Sequence, residues 1–201
     1  PTIGPSVPHL LRFWYEILYT RHLLRLPESE PDQLLDRALE GMPPGKALVV
    51  NLGQGLVAFA LAQRGWDVEG FDVSDIAVAQ ARSMAQRLGL PLQATQSTFS
   101  KFHWTPDCWD LVVMLYAYVP VHSREAGDRL VRSLRPGGRL VFENYEPRWQ
   151  DRSHVLPGTL AEKDLLEIFA GLEVLWLERK LVGSPVDRGT TIIQFVGQKP
   201  Y

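Results

Sequence analysis

Short apolar runs bounded by turn residues alternate along the chain with segments whose apolar residues recur at helical spacing. Residues 47–52 form the first run, and a run of this length is typical of a strand buried on both faces of a sheet. Residues 56–64 then have the pattern of a helix that Gly65 ends, and residues 66–73 form a second apolar run. Together they predict a βαβ unit within about 30 residues, and therefore two parallel strands.

The alternation of strands and helices continues along the rest of the chain. The further predicted elements are a helix over residues 74–88, strands over 92–96 and 109–117, a helix over 123–134, a turn at 135–138 leading into a strand over 139–145, a helix over 161–170, and strands over 172–182 and 190–199. The last two strands are so close in sequence that they predict an antiparallel hairpin. The whole pattern predicts an α/β fold with a doubly wound, Rossmann-like mixed sheet of seven strands.

Two helical segments precede the first strand. In residues 8–26 the apolar side chains fall on one face, which predicts an amphipathic helix. Residues 32–39 predict a second, short helix that ends before the turn at residues 43–45. We therefore predict an N-terminal helical cap, residues 1–45, that forms one compact unit with the main domain, residues 46–201.

The charge balance argues against a nucleic-acid partner. The 201 residues include 21 Lys and Arg and 23 Asp and Glu, which gives a formal net charge of −2, and the basic residues form no run. Binding to nucleic acid needs a broad basic surface that neutralises phosphates. We therefore predict that the chain does not bind nucleic acid.

Cysteine content and hydropathy bear on the compartment. The single cysteine, Cys108, excludes an internal disulfide and a metal site made of several cysteines, so we predict no metal and a cytoplasmic location. Charged residues interrupt the apolar N-terminal part. The sequence therefore contains no stretch of about 18 uncharged apolar residues that would indicate a membrane span. An alternative places the first helix on a membrane surface through Arg12, Arg21 and Arg25.

A glycine loop and an acidic residue stand where a doubly wound sheet binds its ligand. Gly53, Gln54 and Gly55 directly follow the first strand, and glycine lets the backbone approach a ligand closely. Asp72 ends the second strand, about 20 residues further on, where a carboxylate accepts hydrogen bonds from ribose hydroxyls. The order of strand, glycine loop, helix, strand and acid predicts a site for an adenosine-containing cofactor.

Two cofactor classes share these features. A nicotinamide-dependent enzyme needs a third glycine for the pyrophosphate and for helix packing, but Val57 and Ala58 occupy that region here. The predicted closing hairpin also differs from the sheet that is usual for dinucleotide binding. Both features therefore argue against a nicotinamide cofactor.

The chain resembles the class I S-adenosylmethionine-dependent methyltransferases through four ordered motifs. These are Asn51-Leu52-Gly53-Gln54-Gly55, Gly70-Phe71-Asp72-Val73-Ser74, Trp109-Asp110-Leu111-Val112-Val113 and Leu134-Arg135-Pro136-Gly137-Gly138. Within the superfamily the chain is most similar to small bacterial proteins of the tellurite-resistance and thiopurine-methyltransferase-like kind, including the closing Gly197-Gln198-Lys199.

The resemblance implies a set of contacts to S-adenosyl-L-methionine. The glycine loop lies against the methionine moiety, Asp72 holds the ribose, and Val73 packs near the adenine. Met114 and Tyr116, from the end of the fourth strand, lie under the sulfonium. Each of these roles is an expectation about this chain.

The motifs also depart from the family pattern. Members usually carry an acid where Asn51 stands, and an amide offers a hydrogen bond to the cofactor's ammonium but no charge. Gln54 replaces a small residue between the glycines, and Ser97 or Thr98 stands where an acid commonly follows the third strand. We therefore expect weakened cofactor affinity.

Candidate acceptor contacts follow the fourth and fifth strands. Tyr118 and His122 are the candidate catalytic residues, with His122 as a base, although this histidine is equally placed to cap the helix that starts near residue 123. Tyr145, Arg148 and Trp149 are the candidate substrate-binding residues, with Arg148 suited to an anionic group, unless they only pack a long loop.

Two functions follow from the sequence. The first is methyl transfer from S-adenosylmethionine to a small-molecule acceptor. The alternative is a cofactor-poor, non-catalytic methyltransferase-like module for binding or interaction, motivated by Asn51, Gln54, Val57 and Thr98 at motif positions.

Overall fold

A computed structural model describes residues 31–117, 123–146, 159–182 and 190–201. The predicted helix over residues 8–26 and most of the predicted cap lie outside these residues. The described helices are α1 (Pro31–Leu39), α2 (Leu56–Gln63), α3 (Asp75–Leu88), α4 (Arg124–Ser133) and α5 (Glu162–Ile168). The described strands are β1 (Lys46–Val50), β2 (Asp67–Asp72), β3 (Leu92–Gln96), β4 (Trp109–Leu115), β5 (Leu134–Tyr145), β6 (Glu173–Val182) and β7 (Thr190–Gln198).

The strands form one seven-stranded sheet in the order β3-β2-β1-β4-β5-β7-β6. Strands β1 to β5 pair in parallel with one another, whereas β7 is antiparallel to both β5 and β6. The predicted α/β sheet and its closing antiparallel hairpin are confirmed. The order reverses beside β1, so the carboxyl ends of β1 and β4 flank the switch point where such sheets bind ligands.

Helices cover both faces of the sheet and bury two apolar clusters. On one face α1, α2 and α3 pack on side chains that include Val49, Val113 and Val141. On the other face α4 and α5 pack on a second cluster that includes Met114 and Phe142. Burial on both faces explains why these strands appear in the sequence as continuous apolar runs.

The start of β5 differs from the prediction. A turn was expected at residues 135–138, yet the strand already begins at Leu134, which pairs with Trp109, and the register then shifts before Leu111. Gly137 has a φ of 77° and donates its N–H to the Lys199 carbonyl. This hydrogen bond to the C-terminal segment holds residues 135–138 against the sheet. Because its two partners are far apart in the chain, the bond could not be predicted from local sequence.

Candidate functional site

The carboxylate of Asp72 joins the loops that follow β1 and β2. Its Oδ2 accepts a hydrogen bond from the Gly53 backbone N–H (2.8 Å), and its Oδ1 accepts one from the Ser74 backbone N–H (2.9 Å). The residue is only 1% exposed. Each carboxylate oxygen offers about two lone pairs, so both retain acceptor capacity for a ligand. One side chain therefore fixes the glycine loop and supplies hydrogen-bond acceptors at the switch point.

Burial changes the acidity of this carboxylate. Removal from water raises the pKa of Asp72 above its ordinary value, and the backbone N–H groups of Ser74, Gly53 and Val73 oppose that rise. The folded protein therefore binds the Asp72 proton more tightly than the unfolded chain does.

This raised pKa predicts a pH dependence of stability. The contribution of Asp72 to the free energy of unfolding is greatest when the pH is below 3.8, the ordinary pKa that the residue has in the unfolded chain. We expect this contribution to fall as the pH rises through the higher pKa of the folded protein. Urea unfolding of the wild type and Asp72→Asn over a pH series checks this, because the variant lacks the titration. The wild type should lose free energy of unfolding relative to the variant as pH rises from 3.8. Parallel curves would contradict the assignment.

The loop between β1 and α2 runs through left-handed backbone conformations. Asn51, Gly53 and Gly55 have φ values of 60°, 57° and 90°. A Cβ on Gly55 would lie 2.7 Å from Cζ of Phe59, so a side chain here would displace that ring and strain the left-handed backbone. Asn51 ends β1 at Val50 rather than at the predicted Leu52, since asparagine adopts this conformation more readily than most residues.

Gln54, between the two glycines, bonds across to a neighbouring helix. Its Nε2 donates to Oε1 of Gln80 on α3 (3.3 Å). This contact explains how a long side chain is accommodated at a motif position where a small residue is usual.

The segment after β3 lies beside the end of β2. Ser97 donates its N–H to the Asp72 carbonyl (2.9 Å), and Gln96 Nε2 donates to the Val73 carbonyl (3.2 Å). The Oγ1 of Thr98 contacts Oγ of Ser100 and accepts from the Lys101 N–H, so it stabilises the following turn. The predicted cofactor residues from β1, β2 and β3 thus come together at one edge of the sheet.

The residues at the end of β4 have different environments. Met114 lies inside β4, fully buried in the core cluster. Tyr116 is nearly buried, has a φ of 51°, and its ring lies 5.3 Å from the ring of Tyr145. The two predicted residues Tyr116 and Tyr145 therefore meet, whereas Tyr118, His122, Arg148 and Trp149 lie outside the described residues.

Polar side chains at the end of β5 were not predicted from the sequence. Glu143 and Asn144 have no exposed surface, and Gln194 on β7 donates its Nε2 to Oε2 of Glu143 (2.5 Å). Asn144 donates its Nδ2 to the Ala117 carbonyl (3.1 Å). The available signal was the pair of polar residues that directly follows the apolar run 140–142.

Two absences apply to the described part of the chain. Among those residues no group of three or more His, Cys, Asp or Glu side chains is arranged to hold a metal ion. No helix there is long and apolar enough to cross a membrane.

The sequence matches methyltransferases. Residues 47–138 match the family model of the methyltransferase domain. The release factor glutamine methyltransferase of Enterococcus faecalis is 31% identical over 136 residues, which cover 66% of this chain and 48% of that protein. The alignment thus spans about half the length of this curated relative.

Solved structures of methyltransferases share the fold. The 1,6-didemethyltoxoflavin-N1-methyltransferase of Burkholderia thailandensis, solved with 1,6-didemethyltoxoflavin and S-adenosylhomocysteine, superposes with a TM-score of 0.74 at 19% identity, covering 100% of this chain and 94% of that one. TehB from Haemophilus influenzae gives 0.70 at 16% identity, covering 84% and 62%. At these identities the likeness concerns the fold.

Proposed function

We propose that this chain is a class I methyltransferase that transfers a methyl group from S-adenosylmethionine to a small-molecule acceptor. The observation that carries the proposal is the buried Asp72 carboxylate bonded to Gly53 at the switch point of the sheet. This carboxylate has acceptor capacity for ribose hydroxyls, and the left-handed glycine loop offers close backbone approach.

The residues at this edge fit the cofactor. Asp72 would hold the ribose and Val73 would lie near the adenine. Ser97 or Thr98 would offer a hydroxyl group to the polar edge of the adenine. The loop from Asn51 through Gly53, Gln54 and Gly55 would hold the methionine moiety. When bound, the cofactor supplies a methyl group that its positively charged sulfur has already activated.

The protein's own part is to position the acceptor and exclude water. Tyr116 and Tyr145 form an aromatic pair beside the switch point, where their rings would orient the acceptor. In this proposal His122 accepts the proton that the acceptor loses and Tyr118 assists it, while Arg148 and Trp149 bind the rest of the acceptor. Met114 supports the strand from within the core.

A small-molecule acceptor and a cytoplasmic location complete the proposal. The near-neutral charge and the absence of a basic run in the sequence support an acceptor other than nucleic acid. The alternative, a module that binds no cofactor, rests on Asn51 in place of an acid.

Calorimetric titration separates the two functions. We expect S-adenosylmethionine and S-adenosylhomocysteine to bind the purified chain with dissociation constants on the order of micromolar, and labelled methyl to reach a member of a metabolite panel. A folded protein that binds neither compound up to roughly millimolar concentration would support the non-catalytic module.

Replacing Asn51 by aspartate should tighten cofactor binding. The carboxylate adds a charge partner for the ammonium, and aspartate tolerates the left-handed backbone at this position. We expect the dissociation constant for S-adenosylmethionine to fall about 3- to 10-fold in Asn51→Asp. Asn51→Gly, which keeps the backbone conformation without the side chain, is the matched control and should bind more weakly than the wild type. Equal affinity in both variants would show that residue 51 does not contact the ammonium.

A further inference from the structure

Two hydrogen bonds tie the end of β4 to the end of β5, and a third lies within β5. Tyr116 donates its N–H to the Glu143 carbonyl (2.7 Å), and Asn144 donates its Nδ2 to the Ala117 carbonyl (3.1 Å). The Oδ1 of Asn144 accepts the Tyr145 N–H (2.8 Å), which fixes the orientation of the amide. We call the bonded residues Tyr116, Ala117, Glu143, Asn144 and Tyr145 the β4–β5 clasp.

The clasp surrounds a backbone conformation that needs support. Tyr116 has a φ of 51°, in the left-handed region that a bulky residue with a Cβ adopts only when its surroundings impose it. The Tyr116 N–H is bonded on one side of this torsion, and the carbonyl of the following residue, Ala117, accepts a hydrogen bond from Asn144 on the other. The Tyr116 ring also packs against the Tyr145 ring.

The clasp lies next to the cofactor loop. Val49 of β1 pairs with Val113 of β4, and Val113 pairs with Val141 of β5. Asn51 and Tyr116 therefore follow two paired strands, whose backbones lie roughly 5 Å apart, at the same edge of the sheet. A rotation of the Tyr116 backbone would move its ring, which the proposed function places against the acceptor and the resemblance places under the cofactor's sulfur.

We propose that Asn144 is a positioning residue that holds Tyr116 in its left-handed conformation and thereby shapes the end of the cofactor site that receives the sulfur atom. The inference rests on the proposed function. Asn144 acts through Tyr116, and its side chain, with 0% exposure, is placed to bind backbone groups.

A double-mutant cycle tests this role by titration with S-adenosylhomocysteine. Asn144→Leu removes the amide at similar volume, and we expect the dissociation constant to rise about 10-fold. In Tyr116→Gly the left-handed conformation has no Cβ penalty, so adding Asn144→Leu to that variant should change the constant by less than about 2-fold. If Asn144→Leu does not fold, Asn144→Ser takes its place in the same cycle.

Ser133→Ala is the control for a general loss of buried hydrogen bonding. Ser133 is 1% exposed, and its Oγ donates to the Leu130 carbonyl (2.7 Å) at the end of α4. This variant should lower the unfolding midpoint and leave the dissociation constant unchanged.

Two outcomes of the cycle would overturn the positioning role. One is unchanged affinity in Asn144→Leu, and the other is an equal loss of affinity when Asn144→Leu is made in the wild type and in the Tyr116→Gly variant. A folded wild type that does not bind S-adenosylhomocysteine would instead overturn the proposed function, and this inference with it.

Discussion

Asp72→Ala is expected to raise the dissociation constant for S-adenosylmethionine at least about 100-fold, which is about 2.7 kcal/mol of binding free energy. In the proposed function the substitution removes the acceptors for two ribose hydroxyls, and a hydrogen bond to a charged group contributes about 1.5–3 kcal/mol. It also leaves the Gly53 and Ser74 N–H groups without the carboxylate that now fixes them. Calorimetric titration of the folded variant measures the change.

Asp110→Ala is the matched control. Asp110 also accepts a backbone N–H, from Lys46 (2.7 Å), and pairs with Arg135, but it lies where β1 and β4 begin, at the opposite edge of the sheet. We expect this variant to lose stability and keep its cofactor affinity. Wild-type affinity in Asp72→Ala would mean that the ribose lies elsewhere.

Phe142→Ala should produce the largest loss of stability, about 3–5 kcal/mol in the free energy of unfolding. Phe142 is fully buried in β5, and its ring lies 6.2 Å from that of Phe169. The truncation leaves a cavity between the sheet and the helices α4 and α5. The close-packed side chains around this cavity cannot move far enough to fill it. Urea unfolding followed by circular dichroism measures the loss.

Leu181→Ala provides the comparison on the same sheet. Leu181 is 71% exposed on the edge strand β6, so its truncation should change the free energy of unfolding by no more than about 0.5 kcal/mol. A similar loss in both variants would indicate that the cluster around Phe142 does not determine stability.

Local patterns predicted the elements around the cofactor loop because their signals lie close together in the chain. The apolar run of β1, the glycine loop and Asp72 fall within one βαβ unit, and the Asp72–Gly53 bond spans 19 residues. The order of these elements alone placed Asp72 at the switch point. The same local signals misplaced the end of β1, because the left-handed backbone of Asn51 ends the strand before Leu52.

The β4–β5 clasp and the hydrogen bond between Gln194 and Glu143 could not be predicted from local sequence patterns. Asn144 reaches Ala117 across 27 residues, and Gln194 reaches Glu143 across 51. Both contacts depend on which strands become neighbours, and the alternation of elements does not specify that order. The hairpin of β6 and β7 was predicted, but the insertion of β7 beside β5 was not.

The position of β7 constrains the order in which the sheet is completed during synthesis. Strand β7 lies between β5 and β6 although it follows both in the chain, and in the described sheet β6 pairs with β7 alone. The ribosome therefore releases β6, with its exposed Leu175 and Leu181, before its hydrogen-bonding partner exists. Strands β1 to β5 have all their parallel neighbours by then, so a parallel half-sheet can assemble first. Until β7 is made, nascent chains expose an unpaired edge at β5 and a β6 segment without its hydrogen-bonding partner.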